Sequence, residues 1–134
     1  MNRLLLGWAF VAFLCGSCTD KNRVSVDNDI VKLEFDLQKG TYKGIDMATG
    51  QTCIYDASWR VDDYTSTDAD SIYYQIEAIR DSLGKGQSIQ IVSVKKGQPD
   101  LVFNFNLYDK EPFVVMYGGV RNQTSSDVQI KDCL

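Results

Sequence analysis

The stretch LVFNFNLY, residues 101–108, decides the fold. Leu101, Phe103, Phe105 and Leu107 fall on one side of a period of two, and Val102, Asn104, Asn106 and Tyr108 on the other. Strict alternation of this kind predicts a strand with one face in the core, because successive side chains of an extended chain point to opposite faces. DKEP follows as a turn, and FVVMYGGVRN returns, so the pair predicts an antiparallel hairpin.

Working back from this hairpin, SIQIVSV at 88–94 has the same character, and KKGQPD closes it. GKGQS at 84–88 is expected to be a hairpin turn, since it lacks phosphate-loop spacing. SIYYQIEAIRDS at 71–82 fits either period, but Ile and Tyr favour a strand. Further back, Val31, Leu33 and Phe35 alternate with charged neighbours, Gly40 and Gly44 are turn or bulge positions, and ATGQT at 48–52 is a turn before CIYDA. Trp59 to Val61 and VQIKD at 128–132 complete the expected strands. About eight to ten short strands at such spacing predict an all-β antiparallel sandwich. DDYTSTDAD at 62–70 is expected to be a solvated acidic loop; its spacing is not that of a calcium loop.

The 134-residue chain contains no histidine, which excludes Ser-His-Asp and Cys-His catalysis and His-ligated zinc within it. Adjacent carboxylates such as Asp62 and Asp63, or the near pair Asp68 and Asp70, have nothing in a polar loop to drive their pKa values apart, so no catalytic residue is expected. No metal site and no cofactor are expected either. The net charge of −4 disfavours nucleic acid, and Lys95-Lys96 is the only basic cluster.

Residues 1–17 read MNRLLLGWAFVAFLCGS. A cation at Arg3, an apolar run over 4–14 and small residues at Gly16-Ser17 have the layout of a secretory signal, expected as a short helix. The run is too short to cross a bilayer comfortably, which takes about 20 residues. Removal of Arg3 with this leader leaves 13 basic against 18 acidic residues, a net charge of −5. The leader ends in a lipobox-like sequence before Cys18, with Cys15 standing where leucine is usual. Cys18 is therefore expected to carry lipid, placing the protein at the bacterial cell envelope, periplasmic or on the outer-membrane surface, with the membrane as partner. A Cys-x-x-Cys redox site would need a folded helix N-terminus, which a leader does not supply. Residues 18–28 are expected to be a polar tether and 29–134 the sandwich. Cys53 and Cys133 remain in a disulfide-permissive compartment, where they either pair or stay as two thiols.

The segment NDIVKLEFDLQKGTYKGIDMATGQTCIYDA, with FVVMYGGVRNQTSSDVQIKD later, resembles the N-terminal β-sandwich of bacterial lipoprotein α-galactosidase-like enzymes, the melibiase group of glycoside hydrolase family 36. The resemblance spans roughly residues 28–132 and implies a supersandwich-like, non-catalytic domain that precedes a (β/α)₈ barrel. It implies a galactoside-type glycan as ligand and a catalytic barrel downstream. The paired carboxylates of such enzymes stand on the barrel, about 5–5.5 Å apart in retaining members. A barrel needs about 250 residues, so no catalytic position carries over to this chain, which is expected to be inactive alone and a fragment of a longer enzyme. A free-standing carbohydrate-binding lipoprotein and a structural envelope lipoprotein are the alternatives. The aromatics Tyr42, Tyr55, Trp59, Tyr64, Tyr73 and Tyr74 either form a sugar-stacking platform or pack in the core and across strands; Trp59 is the best sugar-contact candidate, because an aromatic face suits a sugar ring.

Overall fold

The computed structural model describes residues 21–132. The leader, Cys18 and Cys133 lie outside the described residues. The fold is an all-β antiparallel sandwich of two four-stranded meanders. The first sheet runs in order β1 (Arg23–Asp27), β2 (Val31–Asp36), β3 (Thr41–Asp46) and β4 (Thr52–Ala57). A small hairpin, β5 (Arg60–Val61) and β6 (Tyr64–Thr65), and a 3-10 turn (Ser66–Asp68) carry the chain across. The second sheet is built from β7 (Ser71–Asp81), β8 (Gly84–Val94), β9 (Asp100–Tyr108) and β10 (Val114–Arg121), in spatial order β10-β9-β8-β7.

The alternation read from 101–108 is the organising feature. Leu101, Phe103, Phe105 and Leu107 are all buried. Opposite them on β8, Ile89 pairs with Phe105 and Ile91 with Phe103. From the first sheet come Val26, Leu33 and Phe35, and the Phe35 ring meets Phe105 edge-on at 5.0 Å. Each such side chain contributes roughly 1.5–3 kcal/mol when fully buried. Asn106 and Tyr108 on the other face are also buried, so β9, an interior strand of the sheet, is covered on both faces toward its end rather than half-solvated throughout.

Three contacts align the layers. Gln87 of β8 donates to the Asp27 carbonyl at the end of β1. Phe35 of β2 sits over Phe105 of β9. The Tyr42 hydroxyl of β3 lies 3.9 Å from Met116 Sδ of β10. The sheets are thus offset by one strand, so β4 overhangs at one side and β7 at the other. Both carry mostly exposed residues as a result.

Four sequence expectations are corrected. The polar tether contains a strand: Val24 and Val26 alternate, and β1 pairs with β2 from Arg23↔Asp36 to Asp27↔Lys32, so the sandwich begins six residues earlier than 29. The loop 62–70 holds β6 and the 3-10 turn, with Tyr64 and Ser66 buried. GKGQS belongs to β8; the turn is Ser82-Leu83, where the Leu83 amide donates to the Asp81 carboxylate at 2.8 Å. VQIKD is not a strand, because its backbone finds Asp62 rather than a sheet edge: the Lys131 and Asp132 amides donate to the Asp62 carboxylate at 3.0 and 2.9 Å.

Candidate binding surface

Trp59 is drawn inward by its own polar and apolar partners. Its indole Nε1 donates to Ser93 Oγ at 3.2 Å, and its backbone amide donates to Ser66 Oγ at 3.2 Å. Ser66 in turn donates to the Gly40 carbonyl at 2.6 Å. The ring packs among Tyr42, Phe103 and Phe105. At 2% exposure it closes one end of the core and offers no face to a sugar. The expectation of a sugar contact at Trp59 is therefore corrected: a buried indole with a satisfied N–H is a packing residue.

The six aromatics do not form one platform. Tyr42 is half-buried beside Phe35, and Tyr64 is buried. Tyr55 on β4 is 70% exposed, while Tyr73 and Tyr74 stand exposed on β7, on the other side of the sandwich. The structure adds two residues to the β4 side: Met116 and Tyr117 of β10, the latter 54% exposed. Ile54, packed over Gly44, and the half-buried Tyr42 floor the opening between the two sheets there. Sequence reasoning passed over Met116 and Tyr117 because their alternation is that of any strand. The one-strand offset leaves Met116, on the face of Phe105, uncovered, while Tyr117 pairs with Asn104 on the outer face, which no sheet covers.

Asp62, Asp68, Asp70 and Asp81 are engaged in local structure. Asp62 holds the C-terminal segment, Arg60 reaches Asp132 at 3.3 Å, and the Asp70 carboxylate accepts the Lys96 amide at 2.7 Å. Asp68 accepts the Thr65 hydroxyl at 3.1 Å. Asp81 accepts the Tyr108 hydroxyl at 2.7 Å, which holds its carboxyl below the ordinary range and raises the tyrosine. Among the described residues, no three His, Cys, Asp or Glu side chains stand together to hold a metal ion. Cys53 is exposed on β4, its sulfur 3.7 Å from the Gln51 carbonyl; Cys133, the other cysteine of the pair left open above, is outside the described residues.

A cavity of about 330 Å³ lies between the β5–β6 turn and the C-terminal segment, walled by Val61, Tyr64, Lys95, Leu101, Val120 and Ile130. The Tyr64 hydroxyl is buried there with no hydrogen-bond partner among the described residues. Burial first, then Asp100, Asp70 and Asp68, pushes this phenol up to about 12, so it stays protonated. Lys95 Nζ covers the ring at 5.5 Å. Buried and protonated, this phenol is neither a base nor a nucleophile.

No family model, no curated protein and no solved structure matches this chain.

Proposed function

We propose that this chain is a non-catalytic β-sandwich module of a secreted, α-galactosidase-like glycoside hydrolase, one that packs on a catalytic barrel and shapes the rim of its sugar pocket. The supporting observation is the side of the sandwich formed by β4 and β10. Tyr55, Met116 and Tyr117 are exposed there, and amphipathic rings of this kind suit either a partner domain or a sugar face. The carboxylates described above are tied into turns, which accords with a role by contact rather than by acid–base chemistry.

Cys18 is the proposed lipid acceptor. Only residues 19–22 then separate the anchor from β1, which starts at Arg23. Four extended residues reach about 14 Å, so the module would stand close against the bilayer. Replacing Cys18 with alanine is expected to release the protein from the membrane fraction; retention there would sink the anchor.

Two measurements separate the module reading from its rival, a free-standing carbohydrate-binding envelope lipoprotein, which the same exposed tyrosines favour. In the first, the coding DNA beyond codon 134 is read: βα repeats support the module, and an unrelated gene after a stop codon overturns it. In the second, the full chain is titrated with galactose-containing oligosaccharides. Binding lost on Tyr55→Ala or Tyr117→Ala supports the rival, and turnover of a galactoside by the chain alone would contradict both.

A further inference from the structure

Each sheet of this sandwich has two edges, and three of the four edge strands carry devices that discourage pairing. β1 is five residues long. β4 joins β3 through register shifts around Gly44. β10 carries Gly118-Gly119 in its interior, which weakens a strand as a pairing template. β7 carries the fewest: it is eleven residues long, pairs with β8 at every position from Ser71↔Val94 to Asp81↔Gly84, and contains no proline, glycine or lysine, its charges being confined to Glu77, Arg80 and Asp81 in its second half. Among the described residues no backbone hydrogen bond joins Ile72 through Arg80 to any element other than β8. The overhang also leaves both of its faces largely uncovered, with Ile76 43% exposed at its midpoint. A long, regular, open edge is a template for a further strand.

We propose that β7 is a homodimer interface, in which two copies of this chain join their second sheets edge to edge about a two-fold axis through Ile76. The argument for a second copy is that the strand is complementary to itself. The axis requires like faces to continue into like faces, so even-numbered residues oppose even-numbered ones. Of the registers this allows, one pairs all eleven residues. It sets Ile76 against Ile76, Tyr74 against Ala78, Tyr73 against Ile79 and Ile72 against Arg80. It also sets Gln75 against Glu77 and Ser71 against Asp81, an amide and a hydroxyl each facing a carboxylate. No two like charges stand directly opposite. Shifting each copy by one residue in the direction that centres Glu77 opposes two carboxylates, which disfavours it. In the dimer the two sheets become one of eight strands, the side chains at the middle of β7 lose solvent, and the open edge is consumed. A single strand pair is a small interface, so association is expected in the micromolar range. This inference does not rest on the carbohydrate reading.

The test uses the full chain with Cys15, Cys18, Cys53 and Cys133 changed to serine, followed by sedimentation velocity from about 1 to about 500 µM. A concentration-dependent dimer is expected. Gln75→Glu, which places carboxylates opposite Glu77 twice by symmetry, should weaken it about fivefold, and Gln75→Lys should tighten it by about as much. Both changes fall on an exposed position, so the monomer should fold as before. In the same background Ile76→Cys should form an interchain disulfide under mild oxidation, since facing residues across an antiparallel pair lie at bridging distance, whereas Met116→Cys on β10 should not. A monomer at every concentration overturns the proposal. So do two Gln75 substitutions that act alike, or cross-linking that is no faster at position 76 than at 116.

Discussion

At the scale of single residues, Tyr64 and Trp59 show how the same residue class takes opposite polar solutions in one core. The indole N–H of Trp59 has Ser93; the hydroxyl of Tyr64 has no partner among the described residues. A buried polar group without a partner costs about 1–3 kcal/mol in desolvation. Tyr64→Phe removes the hydroxyl and keeps the ring, so stability at pH 7 is expected to hold or to rise by about 1 kcal/mol in a urea titration. A loss of that size instead would mean that the hydroxyl has a partner. The same phenol also predicts an alkaline effect. Its folded pKa of about 12 lies above the ordinary value of 10.0. The folded state therefore binds the proton more tightly, and this contribution is complete below pH 10 and is lost as pH rises toward 12. Tyr64→Phe should flatten the decline of stability across that window.

At the scale of elements, Asn28 does for the two sheets what no strand pairing does. Its amide donates to the carbonyls of Tyr108 and Glu111 at 2.6 and 2.8 Å, at the end of β9 and in the turn that follows. Its carbonyl accepts the Val31 and Ile30 amides at 2.8 and 3.2 Å, which shapes the β1–β2 turn. One side chain thus ties a turn of the first sheet to a turn of the second. Asn28→Ala strands these groups in a buried site and is expected to cost about 3 kcal/mol in denaturant; a change below about 1 kcal/mol would show that water replaces the bonds readily. The strands themselves were legible in the sequence wherever alternation was long: β2, β8, β9 and β10 lie close to where the pattern puts them. β1 was not, because two valines among polar residues look like any polar linker until β2 is seen to pair with them. The segment 128–132 erred in the other direction, since alternation marks a strand only where an edge is available to receive it. The candidate surface was less legible still. Tyr55, Tyr73 and Tyr74 stood out as aromatics, yet nothing local distinguishes them from Tyr42 or Trp59, which the core takes.

At the scale of the molecule, two acid-sensitive turns frame the stability. Asp81 is held below the ordinary value of 3.8 chiefly by the Tyr108 hydroxyl, and Asp46 chiefly by the Ala48 amide, then by the Thr49 hydroxyl. For a carboxylate with a lowered folded pKa, the contribution is present above the ordinary value and is lost as pH falls through the folded one. Urea midpoints are therefore expected to hold from pH 7 to about 5 and to fall below about pH 4, with a shallower fall in Asp81→Asn. An unchanged slope in that variant would remove Asp81 from the account. The sequence by itself determined the all-β class, the hairpin of β9 and β10 and the faces of its strands, because period-two alternation is a local consequence of extended backbone geometry. The absence of histidine chemistry was likewise settled by composition alone. The tertiary structure alone decided which aromatics are core and which are surface, and which strand edges stay open. Those follow from a one-strand offset between two sheets, a relation set by distant contacts such as Phe35 with Phe105 and Tyr42 with Met116, which no local pattern encodes.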